Sequence, residues 1–319
     1  MLILDADDIN RTLSWTTAID AMDDAFRAYA AGRIPPPERL DSYLPDGEFH
    51  VKAGHTAGFF AVKANSAFFA NPPVRPAIQG VIVLFDSSSG EPVAALDSSA
   101  LTAVRTAAAS AVATGLLAPP DAHTIGLVGA GAQAWHHARA LAAIRPLSQF
   151  VVWSRTRAAS RRLAHRIESE LARRCAVVDR PRDVCRAEIV VTCTPSTSPI
   201  LEVGDVEPGT LIVAVGCDSP HKQELSSALT ASSVVVPDVL DQCLTAGELH
   251  HAVRDELMSV ADVGDDLGTL LLRDAPPVSG GGRPVVFDST GTGFQDAAAA
   301  KAVYSATLPS PSPGIASAR

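Results

Sequence analysis

Two kinds of residue in this chain could do chemistry by type and spacing. One is a pair of glycines that leaves room for phosphate, and the other is a small set of cations placed where a cation is costly. Val128-Gly129-Ala130-Gly131-Ala132-Gln133-Ala134 reads as G-x-G-x-x-A. It follows an apolar run and opens a helical stretch from Ala132 to Ala143, which is the context of a dinucleotide-binding turn. Glycine is required because backbone must approach a pyrophosphate with no Cβ in the way. The helix N-terminus then offers unpaired N–H groups and partial positive charge. Gly129, Gly131, Ala132 and Gln133 are the expected contacts. The next apolar run ends at Trp153-Ser154-Arg155-Thr156-Arg157. An NAD site usually carries Asp or Glu there for the ribose 2′-OH. Ser154, Arg155 and Thr156, with Arg157 behind them, suit a 2′-phosphate instead. NADP(H) is therefore favoured, and NAD(H) is the alternative.

The cations are Lys63, inside the apolar run Phe60-Ala61-Val62-Lys63-Ala64; Arg105, inside the alanine-rich segment Leu101 to Ala108; and Arg39, after a proline break. A buried Lys or Arg needs a partner, and a bound anion is one. A snorkelling or edge-strand cation is the competing reading. Asp218, in Val215-Gly216-Cys217-Asp218, follows another apolar run. The carboxyl ends of such strands line the crevice where ligands bind. A helix cap or turn aspartate is the competing reading.

Trp15, Ile19, Met22, Phe26 and Tyr29 recur at helical spacing, so the first thirty residues read as helix, up to the break Gly32-Arg33-Ile34-Pro35-Pro36-Pro37. The runs Phe59 to Lys63, Val81 to Phe85 and Pro92 to Leu96 read as strands, and an alanine-rich helix follows from Ser98 to Leu117. Past Pro120 the pattern changes. Thr124 to Val128, Gln149 to Trp153, Glu188 to Thr192, Leu211 to Val215 and Ser233 to Val236 are short, apolar and bounded by turn residues. Strands buried on both faces of a parallel sheet look like this. The fold class is α/β: a Rossmann-type, doubly wound parallel-sheet domain plus an α+β domain. The expected bounds are 1–119 for the α+β domain, 120–292 for the dinucleotide domain, 293–307 for a last helix and 308–319 for a Ser/Pro/Ala-rich disordered tail.

The 319 residues suffice for two domains at about 150 residues each. Lys plus Arg is 26 against 35 Asp plus Glu, a formal charge of −9, which argues against a nucleic-acid partner. No uninterrupted apolar run nears the roughly 18 residues of a membrane span. The N-terminus has no basic flank ahead of an apolar stretch, so no signal peptide is expected. Cys175, Cys185, Cys193, Cys217 and Cys243 are odd in number and form no Cys-x-x-Cys, as expected of reduced thiols in the cytoplasm. The pairs His136-His137 and His250-His251 point to different helix faces, and no metal site is expected.

The chain also resembles the ornithine cyclodeaminase/mu-crystallin family, from about Arg39 to Tyr304. The residues that carry the resemblance are Phe49-His50-Val51-Lys52-Ala53-Gly54, Val62-Lys63, Gln79-Gly80, Ala103-Val104-Arg105-Thr106-Ala107-Ala108, the glycine turn at 129–134, Thr192-Cys193-Thr194-Pro195, Ala214-Val215-Gly216-Cys217-Asp218 with Lys222-Gln223-Glu224-Leu225, and Phe287-Asp288-Ser289-Thr290-Gly291. The resemblance implies a homodimer. Its first domain, completed by the C-terminal helix, would bind substrate and dimerise, and its second would bind NAD(P). It implies that Arg39, Lys63 and Arg105 contact the carboxylate of an amino acid or imine. Lys63 would lie near the reacting nitrogen, and Asp218 would handle protons and amine. Thr106, Thr194, Val215 and Ser289 fall at cofactor-contact positions.

Ser154 to Arg157 resembles the NADPH-using members, whereas Asp218 resembles the cyclodeaminases. The segment with Lys52 resembles a subgroup of amino-acid dehydrogenases and imine reductases, and the role of Lys52 stays open. Lys63 beside two arginines is expected to have a lowered pKa, and Asp218 in a closed crevice a raised one. The reading favoured is net hydride transfer at Cα, as in a ketimine reductase or amino-acid dehydrogenase. The alternative is an ornithine or lysine cyclodeaminase, which returns the hydride and releases ammonia. A third reading is a dinucleotide- or ligand-binding protein without turnover.

Overall fold

The computed structural model describes residues 1–72, 74–274 and 280–308. The first sheet is built from β1 (Leu2–Leu4), β2 (Glu38–Leu44), β3 (Gly47–Thr56), β4 (Phe59–Ala67), β5 (Ile78–Asp86) and β6 (Pro92–Asp97), in the order β1-β6-β5-β4-β3-β2. All its pairings are antiparallel except β1 on β6. Before β2 come α1 (Ala6–Thr12) and α2 (Trp15–Ala30). The stretch read as one helix is therefore a strand and two helices. Asp5 caps α1 and Ser14 caps α2 through their side-chain oxygens, and a helix that starts at Ser14 cannot continue from the one before. After β6 runs α3 (Ser98–Leu117), opened by the Asp97 cap and buried along almost its whole length.

Then follow β7 (Thr124–Val128), α4 (Ala132–Ile144), β8 (Gln149–Trp153), α5 (Arg157–Leu171), β9 (Arg174–Val177), β10 (Ile189–Thr192), β11 (Thr197–Leu201), β12 (Leu211–Ala214) and β13 (Gln223–Leu225). Next come α6 (Ser227–Ser232), β14 (Val234–Pro237), α7 (Leu240–Cys243), α8 (Glu248–Arg254), α9 (Leu267–Leu272), β15 (Val285–Asp288) and α10 (Gly293–Thr307). Seven strands form a wholly parallel sheet in the order β14-β15-β12-β10-β7-β8-β9, and β11 pairs with β13 apart from it. Every residue of β10, β12 and β15 is buried, which is why their sequences are apolar up to the last position, Thr192 in β10 and Asp288 in β15. The chain enters this sheet at β7, moves out through β8 and β9, then returns to β10 on the other side. The β7/β10 boundary is thus a topological switch point, where a crevice opens at the carboxyl ends.

One apolar core runs through both sheets, from Ile82 and Leu96 through α3 to Ile125, Leu127 and Leu141. The last helix, α10, returns to the first sheet. Its Phe294 is fully buried, stacks on Tyr29 and meets Phe26 edge-on. Burying one such ring contributes about 2–3 kcal/mol. The first turn of α10 rests directly on β3: a Cβ on Gly54 would stand 2.2 Å from Phe294 N, and one on Gly293 2.1 Å from Ala53 O. These two glycines let the helix N-terminus touch the sheet. The tail expected to be disordered falls, beyond Leu308, outside the described residues.

Candidate active site

The first sheet presents a polar face in three rungs. Arg39, Lys52 and Lys63 lie side by side on β2, β3 and β4. Two residues along come Asp41, His50 and Asn65, and two further Tyr43, Glu48 and Ala67. Side chains two apart share a face, so this surface runs from a cationic end to one that holds Glu48. Opposite it stand the loops at the carboxyl ends of β10, β12 and β15. A cavity of about 260 Å³ lies between them. Its wall brings together Arg39, Lys63, Arg105, Thr106, Gln133, Thr194, Val215, Asp218 and Ser289 from the expected set, and adds Lys52, Glu48 and Lys222.

The deep end is held by a carboxylate that the sequence reading did not single out. Asp296, in the first turn of α10, is fully buried. One oxygen accepts from Arg105 Nε at 2.9 Å and the other lies 2.8 Å from Lys63 Nζ. Gln295 takes a second Arg105 nitrogen, Nη1, at 2.9 Å. Burial works to raise the Asp296 pKa, but Arg105 and Lys63 hold it below the usual carboxylate value. Burial lowers Lys63 to about 8, against Asp296 and together with Arg105. The lowered pKa of Lys63 was expected, but burial is its largest cause rather than two arginines. Arg39 is different. Its Nε donates to Asp41 Oδ2 at 2.7 Å, while its buried Nη1 and Nη2 have no partner among the described residues.

Lys52 is 6% exposed, and its Nζ donates to the carbonyls of Thr290 and Gly291 at 2.9 and 2.8 Å. That turn is fixed from the other side by buried Asp238, whose carboxylate accepts the N–H groups of Thr290 and Gly291 at 2.8 and 2.7 Å. Burial lowers Lys52 to about 7, helped by Lys63 and Arg39. Glu224 plays a similar part opposite, accepting from Thr194 N at 2.6 Å and Gly216 N at 2.8 Å. It thereby ties the loops after β10 and β12 together, and burial raises it to about 7.

Asp218 corrects an expectation. Burial does push its pKa up, but Lys222 and then Lys52 outweigh it, and the group is held below the ordinary range. Lys222 Nζ donates to Asp218 Oδ1 at 2.7 Å. In the sequence Lys222 stands out only as part of a motif; in the fold its ammonium, with Lys52, outweighs burial. Asp218 is an ionised acceptor and not a carboxylic acid.

The residues at the switch point fit a dinucleotide. Gly129 has φ +121°, and a Cβ there would stand 2.9 Å from Cys193 O. Gly131 opens α4, has no atom within 4 Å of where a Cβ would be, and supplies no side-chain cap, so the helix N–H groups point at open space. Gln133 on the same turn leaves Oε1 buried and unbonded. Ser154, Arg155 and Thr156 lie outside the cavity, at the end of β8, whose Trp153 carbonyl accepts from Gly129 N at 2.8 Å. Ser154 Oγ is bonded to Thr156 O and Ser160 Oγ. Arg157 is ion-paired with Asp179, whereas Arg155 is exposed and in no ion pair with another described residue.

The model of the ornithine cyclodeaminase/mu-crystallin family matches residues 1–310. The iminosuccinate reductase of Paracoccus denitrificans (strain Pd 1222) is 37% identical over 225 residues, 70% of this chain and 69% of that one. Its structure with NAD+ superposes with a TM-score of 0.87 at 32% identity, covering 96% of each chain. An archaeal alanine dehydrogenase dimer with bound NAD gives a TM-score of 0.91 at 28% identity, covering 96% of this chain and 95% of that one. A lysine cyclodeaminase gives 0.83 at 29% identity, covering 96% and 92%.

Proposed function

Because the chain belongs to the ornithine cyclodeaminase/mu-crystallin family, we propose that it transfers hydride at Cα of an α-amino acid or its imine, as an imine reductase or amino-acid dehydrogenase. It is an NAD(P)-dependent enzyme. The observation that carries the reading is Arg39. Two buried, unpartnered guanidinium nitrogens on the cavity wall, beside Lys63, suit a carboxylate. Arg39, Lys63 and Arg105 would fix the carboxylate plane, and with it the Cα–N bond next door, which is most of what positioning must achieve. The dinucleotide, when bound, supplies or accepts the hydride. Gly129, Gly131, Ala132 and Gln133 would hold its pyrophosphate, and Thr106, Thr194, Val215 and Ser289 line the way to its reactive end.

NADP(H) is favoured over NAD(H) by Arg155, exposed at the end of β8 and in no ion pair with a described residue, in a segment from Ser154 to Arg157 that carries no Asp or Glu. Net redox is favoured over cyclodeamination because Lys222 occupies Asp218, the carboxylate a cyclodeaminase would need for a substrate amine. One observation supports the second reading: buried Glu48, whose Oε1 lies 3.2 Å from His50 Nε2 and 4.0 Å from Lys222 Nζ, is a second carboxylate on the cavity wall that would accept a terminal ammonium. A homodimer is supported by the other face of the first sheet. There Leu40, Leu44, Phe49 and Val81 are exposed together. The test is the absorbance of reduced nicotinamide on mixing the protein and NADPH with cyclic imines, or with 2-oxo acids and ammonia. NADPH consumption supports the reductase. Ammonia released from ornithine or lysine with no net change in nicotinamide would establish the cyclodeaminase. Arg155→Ala should weaken NADPH much more than NADH, and equal losses would refute the 2′-phosphate assignment.

A further inference from the structure

The site described so far binds a carboxylate and a cofactor, and Asp218, ionised and paired, has no proton to give. We propose that Lys52 is the acid–base residue, giving the imine nitrogen its proton in reduction and taking it back in oxidation. The inference rests on the imine-reductase reading of the same cavity.

Geometry is the first argument. Two backbone carbonyls, of Thr290 and Gly291, each take one N–H of Lys52. A neutral amine has two N–H donors and one lone pair. Held this way its lone pair faces the remaining direction, and Lys52 lines the cavity. The protonated form turns a third N–H the same way. Either state keeps both carbonyl bonds, so the proton can come and go with no rearrangement. The Asp238 carboxylate fixes the turn that carries those carbonyls.

The other lysines of this cavity are committed, as is Arg105. Lys63 and Arg105 pair with Asp296, and Lys222 pairs with Asp218. Deprotonating Lys63 would take a cation from a buried carboxylate, whereas deprotonating Lys52 strands no anion. Residue usage points the same way. Of 26 Lys plus Arg, 22 are arginine and four are lysine. Three of those four, Lys52, Lys63 and Lys222, line this cavity. An arginine cannot release a proton near neutral pH, and a lysine can.

The charged surroundings tune Lys52 without trapping it. Lys63 on β4, Arg39 on β2 and Arg105 on α3 disfavour its charge, and Asp218 from the loop after β12 favours it. Asp296 on α10 also feels it. Along its own strand stand His50 and Glu48. Burial and the nearby cations bring Lys52 to about 7.

The step balances. The Nζ–H bond of Lys52 breaks as an N–H bond forms at the imine nitrogen. Hydride from the cofactor forms the new C–H bond at Cα, and the C=N π pair becomes the nitrogen lone pair. The imine is reduced by two electrons, the dinucleotide is oxidised by two, and neutral Lys52 regains a proton from water.

Two variants and one spectrum test it. Lys52→Arg keeps a charge and donors for both carbonyls but cannot exchange the proton. Lys52→Met removes both. With NADPH and a turned-over imine, each should lose about 10²–10⁴-fold in kcat, with NADPH Kd unchanged. Each should also lose the wild-type pH limb near 7. In protein labelled at lysine Nζ with ¹⁵N, one signal should titrate near 7 and be absent from Lys52→Met. A Lys52→Arg enzyme with wild-type rate or an unmoved pH limb overturns the proposal, as does a Lys52 signal that stays protonated well above neutral pH. If wild-type protein turns over no imine, the parent reading fails, and the Nζ titration still decides whether Lys52 exchanges its proton near neutral pH.

Discussion

On the proposed reading Arg39 and Asp296 both serve the substrate carboxylate, Asp296 through Lys63 and Arg105, and they should fail differently. Arg39 has spent one nitrogen on Asp41 and keeps two. Removing it in Arg39→Met takes away two charge-assisted bonds, each worth about 1.5–3 kcal/mol, so kcat/KM should fall roughly 10²- to 10⁴-fold, mostly through KM, with little change in Tm. Asp296→Asn leaves Lys63 and Arg105 buried without their anion. Breaking such a cluster costs about 3–5 kcal/mol, so denaturant unfolding should register it before any assay does. Unchanged stability in Asp296→Asn would mean that the two cations do not depend on it. Arg39, Lys63 and Arg105 were legible because a cation in an apolar run is conspicuous. Asp296 was not, because one acid in an alanine-rich helix reads as a solvated residue until the helix is seen to land on β3. The direction of the Asp218 shift was misjudged for a related reason. Lys222 lies four positions on, and only the loop's path brings the two to 2.7 Å.

At the scale of elements, the two sheets differ in how openly their sequences announce them. β7, β8, β10, β12 and β14 were readable because strands buried on both faces are plain apolar runs. β2 and β3 were missed because the alternation is inverted. The inward face of this sheet carries Arg39, Asp41, His50 and Lys52, and the outward face carries Leu40, Leu44 and Phe49. Polar-in and apolar-out follows if one face is a binding site and the other is covered by a second copy. An exposed apolar surface of this kind on a sheet ending in β2 invites pairing. Leu40→Asp combined with Phe49→Asp should therefore convert the protein to monomer in sedimentation velocity. A monomeric wild-type protein at micromolar concentration would sink the dimer.

Across the whole molecule, the cavity lies between the two sheets and concentrates buried charge that the free protein must carry. Lys52 and Lys63 have folded pKa values of about 7 and 8 against 10.5 in the unfolded chain. Between those values the unfolded state binds more protons, so stability rises with pH. Below about 7 the full penalty of two buried ammonium groups is present, and above 10.5 it is gone. Glu224 and Asp288, both raised to about 7, work in the opposite sense, and their stabilisation is lost as pH rises from about 4.5 to 7. The two effects occupy adjoining windows, so the range from about 7 to 9 reports the lysines, whereas above 9 the five cysteines, whose thiols burial pushes up, work against them. Tm of the ligand-free protein should climb from pH 7 to about 9, and Lys52→Met should flatten that climb. A bound carboxylate should do the same by another route, because an anion beside Arg39 and Lys63 favours their charged forms and restores the lysine pKa values. Adding pyruvate with NADP+ should then raise Tm more at pH 7 than at pH 10. A ligand-induced shift that is equal at both pH values would show that the carboxylate binds away from the lysines, and the assignment of the deep end of the cavity would fall with it.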